Sequence, residues 1–264
     1  TDFVDAGGVL AFVVFDYGVD PTYTDDHRVQ LWKSNGTPGG TVKVADFGLG
    51  STLPTDSGDA QLTVVGSQVF GVVSTPAAGY ELFVSDLNAA GPVKDIFPGM
   101  GASSAPNSSY PSELLAFNGE LYFAANDGQH GTELWVSDGT AGGTQMVKDI
   151  VSSPTGVGSS PTGLTAGNGE FFFGVLNPGA DSNPSTGADN RVELWKSNGT
   201  TGGTVLVHQF AVGTSPPSGF EGVPQSAGDP QLTYIPETGK LFGVVEFQDG
   251  AVRYSGPPAV RAGA

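Results

Sequence analysis

Carboxylate and amide side chains in the long variable segments are the residues of this sequence best suited to chemistry. Calcium takes about six to eight oxygen ligands from carboxylates, amides and carbonyls, and glycine-rich segments that contain Asp and Asn can supply them. The candidate metal ligands are Asp16, Asp20, Asp25, Asp26, Asp181 and Asp189. They make calcium (Ca2+) the candidate cofactor. The simpler alternative, that these acids only solvate loops and cap turns, stays open because no segment matches a helical calcium-binding loop.

Aromatic side chains in the variable segments are candidates for stacking on sugar rings. The candidate ligand-binding residues are Tyr17, Tyr23, Tyr110 and Phe220. Binding sites commonly lie on variable loops held by a rigid scaffold, so we expect a glycan or a protein partner there. By contrast, Trp32, Trp135 and Trp195 recur at a fixed place in a repeat, which favours packing between modules.

The sequence contains no catalytic motif. Its three histidines, His27, His130 and His208, occupy non-equivalent places, and neither a Gly-x-Ser-x-Gly elbow nor a His-Glu-x-x-His sequence occurs. Acids are abundant enough for glycoside hydrolysis, but nothing selects a pair of them. Two carboxylates about 5–9.5 Å apart in a concave pocket would indicate a hydrolase. No catalytic residue is therefore predicted.

Composition excludes several classes of function. The 264 residues carry 27 acids against 10 bases, for a net charge of −17, which argues against nucleic acid and anionic lipid as partners. Without cysteine there are no disulfides or thiolate metal sites. No apolar run approaches the roughly 20 residues of a transmembrane helix. Together with few charged residues, this composition favours an extracellular or cell-surface bacterial protein.

A repeated module dominates the sequence. Leu-Trp-Lys-Ser-Asn-Gly-Thr occurs at Leu31–Thr37 and Leu194–Thr200, with a close variant at Leu134–Thr140. Each copy continues through Gly-Gly-Thr into an apolar run. Asx side chains hydrogen-bond the backbone of their own turn, so the Asn or Asp of each copy is expected to be a turn residue rather than a metal ligand. These residues are Asn35, Asp138 and Asn198.

The third unit shows the strands of one module most clearly. Residues 114–117 and 121–125 flank Asn118-Gly119, a strong hairpin signal, and strands at 133–137 and 145–150 follow. Such a unit is a four-stranded antiparallel meander of about 50 residues, the size of a propeller blade. The sequence therefore predicts an all-β fold, a β-propeller of four-stranded antiparallel blades.

Five units can be laid over the chain as a single propeller domain. Their approximate bounds are 1–58, 59–111, 112–162, 163–228 and 229–264, the last incomplete. The second strands at Val9–Phe15 and Phe171–Leu176 are apolar throughout, which predicts burial on both faces. Unit four resembles unit one and unit five resembles unit two. This pattern favours part of a ring of six or more blades, with a five-bladed ring and a decayed last blade as the alternative.

These residues resemble the bacterial ELWxxDGT repeat family of long secreted or surface-attached proteins. Unit three matches the family pattern from Glu133 to Ile150, whereas units one and four have Asn35 and Asn198 where the pattern has Asp. Unit two keeps Glu81–Asp86 but loses the Gly-Thr turn. The resemblance covers most of the chain. It implies an extracellular location and a binding role, with no shared catalytic residues.

The leading functional prediction is a non-catalytic secreted or cell-surface module for binding, adhesion or structural assembly. It would present one loop-rich acidic face, stabilised by calcium, to a glycan or a protein partner. The alternative is an extracellular propeller hydrolase of the glycoside type that uses loop carboxylates at the mouth of the central channel. A third hypothesis is an assembly subunit whose open last blade is completed by a neighbour's strand.

Overall fold

The computed structural model describes residues 3–16, 18, 27–53, 60–101, 104–153, 156–179, 190–213, 233–235, 240–246 and 252–255. Within these ranges all regular secondary structure is β-strand, apart from a 3-10 turn at Pro38–Gly40. Strands of consecutive sequence pair in antiparallel fashion and form one small sheet after another. We call these sheets blades 1 to 5.

Each blade is a meander of neighbouring strands. Blade 1 contains β1 (Phe3–Asp5), β2 (Leu10–Asp16), β3 (Arg28–Ser34) and β4 (Val42–Leu49). Blade 2 contains β5 (Thr63–Val65), β6 (Gln68–Thr75), β7 (Gly79–Ser85) and β8 (Ala90–Pro92). Blade 3 contains β9 (Ser112–Phe117), β10 (Glu120–Asn126), β11 (Thr132–Ser137) and β12 (Gln145–Lys148). Blade 4 contains β13 (Thr162–Gly167), β14 (Glu170–Asn177), β15 (Asn190–Ser197) and β16 (Val205–Gly213). In blade 5 the described strands are β17 (Thr233–Ile235), β18 (Lys240–Glu246) and β19 (Val252–Ser255).

The first strands of the blades lie next to one another. Contacts run from β1 to β5, from β5 to β9, from β9 to β13 and from β13 to β17. First strands therefore line the inside of the arrangement and fourth strands lie outside, as in a propeller. The predicted all-β propeller of four-stranded antiparallel blades is confirmed.

The repeated Asx-Gly-Thr sequence forms a self-contained turn. Asp138 Oδ1 accepts hydrogen bonds from the Thr140 backbone N–H at 2.8 Å and from its hydroxyl at 2.7 Å. Asn35 and Asn198 make the same two bonds to their own threonines. A Cβ on Gly143 would collide with the Asp138 carboxylate, which explains the glycine. The predicted structural role of these residues is confirmed.

Apolar side chains fill the seams between blades. One buried cluster combines Phe70 and Leu82 of blade 2 with Phe123 and Trp135 of blade 3. A second combines blade 3 with blade 4, where Trp195 packs against the cluster. The phenylalanine–tryptophan side of each of these blades thus faces the preceding blade, and Trp135 and Trp195 pack between blades as predicted, whereas Trp32 belongs to none of the described clusters.

Burial on both faces holds for only one of the two second strands that were predicted to have it. In blade 4, Phe171 and the whole run Phe173–Leu176 are buried, so both faces are covered apart from a partly exposed Phe172. In blade 1, by contrast, only Ala11 and Val13 are buried, while Phe12 and Val14 on the other face are both partly exposed. The prediction was wrong for blade 1 because the face that carries Phe12 is only partly covered.

Among the described residues, none of the helices has the length and apolar character needed to cross a bilayer.

Candidate functional site on the loop face between blades 2 and 3

The meander places two kinds of connection at opposite ends of the blades. Turns from the first to the second strand and from the third to the fourth lie at one end, the turn face. Connections from the second to the third strand and from one blade to the next lie at the other end, the loop face. The loop face carries the longer and more variable segments. Two buried glutamates hold its connections in place.

Glu81 and Glu133, which begin the Glu-Leu-Phe and Glu-Leu-Trp sequences, anchor the segments that join blades. Glu81 accepts hydrogen bonds from the Ile96 N–H at 3.2 Å, the Ser109 N–H at 3.0 Å and the Ser109 hydroxyl at 2.5 Å. In the next blade Glu133 does the same with Ile150 and Ser159, and also accepts from the Val151 N–H. Each carboxyl therefore fixes both ends of a connection.

These two glutamates are structural rather than catalytic. Glu81 is 4% exposed and Glu133 is 0% exposed, so no substrate reaches them. Burial raises the pKa of each carboxyl from 4.5 to about 7, against the opposing effect of the serine and backbone hydrogen bonds. Sequence reasoning did not assign this role, because the serine partners lie 26 to 28 residues away in the chain.

The two anchored connections share an unusual backbone. Tyr110 and Ser160 follow the anchored serines and both have left-handed φ, at 48° and 44°. Three residues further on, Glu113 and Gly163 are also left-handed, at 59° and 66°. Any residue other than glycine at positive φ costs about 1–3 kcal/mol, whereas glycine avoids that cost. The seam between blades 2 and 3 therefore carries Tyr and Glu where its neighbour has Ser and Gly.

Tyr110 is an exposed aromatic surface on the loop face. Its side chain is 64% exposed, and its ring stacks on Tyr80 with 5.4 Å between centroids and 28° between planes. Tyr80 is itself held in place, since its hydroxyl donates to the Leu53 carbonyl at 3.1 Å. The pair forms a supported flat surface of the kind that stacks on a sugar ring or another planar apolar group. The structure thus places Tyr110, a predicted ligand-binding residue, on the predicted face.

Glu113 lies at the loop-face end of the innermost strand of blade 3. Its Oε2 accepts hydrogen bonds from the backbone N–H groups of Gly163 at 2.7 Å and Leu164 at 3.3 Å, both on the innermost strand of blade 4. Three residues of chain span at most about 11 Å, so Glu113 lies near Tyr110. Sequence reasoning missed Glu113; alignment of the units would have shown glutamate opposite the glycine of blade 4.

Asp127, which holds His130, lies beside the connection from blade 2 to blade 3. The Asn126 N–H donates to the Ser109 carbonyl at 2.9 Å, so the neighbours of these two residues, Asp127 and Tyr110, lie close together. Asp127 Oδ2 is 2.7 Å from His130 Nδ1. Burial would raise the pKa of Asp127, but hydrogen bonds from His130 and Gln129 outweigh it and lower that pKa. The bond to Asp127 raises the pKa of His130 above 6.5.

Of the six predicted metal ligands, the structure describes only Asp16. Asp16 is exposed, and its Oδ1 accepts from the Gly18 N–H at 3.0 Å, as an Asx turn does. The other predicted ligands and three predicted aromatic residues lie outside the described residues: Asp20, Asp25, Asp26, Asp181, Asp189, Tyr17, Tyr23 and Phe220. Across the described ranges, no group of three or more His, Asp or Glu is placed to hold a metal ion. Calcium binding stays a prediction.

Comparison with known proteins gives structural likeness only. No protein-family model matches the chain, and no curated protein matches it. A GH74 xyloglucanase from Xanthomonas campestris is similar at 15% identity with a TM-score of 0.47, over 94% of this chain and 37% of that one. A puromycin-hydrolyzing peptidase from Mycobacterium tuberculosis is similar at 13% identity with a TM-score of 0.43, over 90% of this chain and 33% of that one. An α-L-arabinofuranosidase from Clostridium thermocellum is similar at 15% identity with a TM-score of 0.35, over 92% of this chain and 80% of that one. The chain spans about a third of the length of the first two.

The comparisons correct the leading functional prediction. The three structures named here are hydrolases, so a non-catalytic module for adhesion or assembly was the wrong reading to place first, and the alternative of an extracellular hydrolase agrees better with them. The prediction that the chain is not an enzyme conflicts with the same comparisons. At these identities and TM-scores the likeness assigns no activity to this chain. An activity therefore has to be argued from the residues of the loop face.

Proposed function

We propose that this chain is the propeller of an extracellular hydrolase that acts on glycans, with the substrate bound on the loop face between blades 2 and 3. One observation carries the proposal. The backbone of this seam matches that of the next one, yet its two left-handed positions hold Tyr110 and Glu113 instead of serine and glycine. Glycine at the position of Glu113 and serine at that of Tyr110 form the same backbone in the next seam, so the backbone itself does not require these two side chains.

Each residue of the seam suits a step of glycoside hydrolysis. Tyr110, supported by Tyr80, would stack on the face of a sugar ring. Glu113 would accept a proton from the attacking water, and His130, whose pKa is raised by Asp127, would donate one to the leaving oxygen. The bond from the anomeric carbon to the leaving oxygen breaks as the bond to the water oxygen forms. Atoms and protons balance without any further reactant.

The resemblance to the ELWxxDGT repeat family supports the extracellular part of the proposal. The net charge of −17 disfavours polyanionic nucleic acid as a substrate and is compatible with neutral glycans. Cleavage of neutral polysaccharides by a stacking platform, one base and one proton donor is therefore the form of the reaction that we propose.

The test is release of reducing ends from purified polysaccharides, including xyloglucan, arabinan and a β-glucan. Glu113→Gln retains an oxygen that accepts from Gly163 but removes the carboxylate, so it should abolish hydrolysis and preserve binding in affinity electrophoresis. Tyr110→Ser recreates the residue of the neighbouring seam and should weaken binding at least tenfold. Ser160→Ala in the other seam is the matched control and should change neither. If Glu113→Gln keeps the wild-type rate, the proposal fails.

A further inference from the structure

Lysines at or just after the fourth strand join blade 2 to blade 3 and blade 3 to blade 4. Lys94 of blade 2 donates to the Thr144 carbonyl at 2.8 Å, and its Nζ lies 5.7 Å from the centre of the Trp135 ring. Lys148 of blade 3 repeats this contact one blade further on, with the Thr204 carbonyl at 2.7 Å and Trp195 at 5.4 Å. Each contact combines a charge-assisted hydrogen bond with a cation–π interaction. We call this contact the lysine latch.

Blade 1 has the receiving half of a lysine latch. Trp32 pairs with Phe12 in the same register in which Trp135 pairs with Phe123 and Trp195 with Phe173. Its Asn-Gly-Thr turn makes the same internal hydrogen bonds as the turns of blades 3 and 4 and ends at Thr41, the counterpart of Thr144. Among the described residues, no lysine lies over the Trp32 ring.

Three observations show that the described residues leave the face of blade 1 with Trp32 only partly covered. Phe123 and Phe173 are 0% exposed, whereas Phe12 is partly exposed and Phe3, stacked on it at 5.6 Å, is 58% exposed. A Cβ on Gly199 would collide with the Tyr122 hydroxyl of the preceding blade. The same atom on Gly36 of blade 1 would meet nothing within 4 Å.

We infer that this face of blade 1 is a docking surface for a further blade of the same repeat, whose fourth strand places a lysine over Trp32 and against the Thr41 carbonyl. The surface continues an interface that the molecule already uses twice, with the same partner chemistry. A second copy of this chain fits less well. Among the described residues, Lys94 and Lys148 are already engaged, and the counterpart of Lys148 in blade 4 is His208.

The chain itself supplies a donor blade for the test. Counted from the turns Gly7-Gly8 and Asn168-Gly169, Thr1 stands at the repeat position of Thr162. Residues 112–161 can therefore be duplicated in front of Thr1, so that the new junction reproduces the connection from blade 3 to blade 4. The added copy then carries its own Lys148 next to Trp32.

Hydroxyl-radical footprinting by mass spectrometry reads each tryptophan separately, and Trp135, 6% exposed, is the internal reference. We expect oxidation of Trp32 to fall at least threefold in the duplicated protein, and the melting temperature to rise by about 5 °C. Lys148→Ala in the added copy alone should reverse part of both changes. The inference is overturned if the added blade leaves Trp32 oxidation and the melting temperature unchanged. It is equally overturned if the original chain forms a dimer in which Trp32 is already protected.

Discussion

Stability should fall as the pH rises from about 5 to 8, because two buried glutamates carry raised pKa values. The folded-state pKa of Glu133 is about 7 against 4.5 for the free side chain, and Glu81 behaves in the same way. Over this pH range the folded state binds more protons than the unfolded state, so the free energy of unfolding decreases with pH. The stabilisation is fully present below pH 4.5 and is lost as the pH passes through 7.

The magnitude follows from the pKa difference. A shift from 4.5 to about 7 corresponds to about 3 kcal/mol per glutamate, at about 1.4 kcal/mol for each pKa unit. Glu133→Gln removes the titrating proton and should remove about half of the pH dependence between pH 5 and 8. It should also lower stability at pH 5, since the amide NH2 must face N–H donors. Glutamine is compatible with the position, because Gln30 occupies it in blade 1.

Urea unfolding at half-unit pH steps, followed by tryptophan fluorescence, measures this dependence. His130 acts in the same direction through its raised pKa, but it is present in both proteins compared. Asp138→Asn, which removes an equal charge from an exposed turn, is the matched control and should leave the slope intact. The reasoning is refuted if the wild-type free energy of unfolding is flat or increases over this range, or if Glu133→Gln and Asp138→Asn give the same slope.

Three further predictions concern the repeat. Asp138→Asn should change the free energy of unfolding by less than about 0.5 kcal/mol, since Asn35 and Asn198 make the same bonds, whereas Asp138→Ala should cost about 1 kcal/mol; urea unfolding compares the two. Lys148→Ala should lower the free energy of unfolding by about 1–3 kcal/mol, because it removes the lysine latch. Lys43→Ala removes only an exposed ion pair with Asp46 and should lower it by about 0–1 kcal/mol. Equal losses in the two variants would contradict the latch. Gly199→Ala should lower the melting temperature more than Gly36→Ala, because both have positive φ but only the first meets Tyr122; calorimetry decides the order.

The strands and turns were predictable from sequence because the same pattern of apolar runs and turn residues recurs in several units. In blade 3 the predicted strands differ from the observed ones by one or two residues at most ends, and the Asx-Gly-Thr turn behaves as its local chemistry requires. Tight turns depend on residues that are close in sequence. Their geometry can therefore be inferred without knowledge of the tertiary structure.

The candidate site was only partly predictable. Tyr110 was named for its type and its place in a variable segment, but its support by Tyr80 comes from a residue 30 positions earlier. Glu113 was overlooked because it lies within a first strand, where the sequence gives no sign of left-handed backbone. Comparison with Gly163 carried that signal, since glycine at an equivalent position indicates positive φ.

Hydrolysis by Glu113→Gln relative to wild type is the most direct test of the central claim. The measurement is the initial rate of reducing-end release on the polysaccharide that the wild type cleaves fastest, with the melting temperature of both proteins recorded. The account predicts a loss of at least a thousandfold with a melting temperature within about 2 °C of wild type. An unchanged rate, or a wild type that cleaves no glycan, would contradict it.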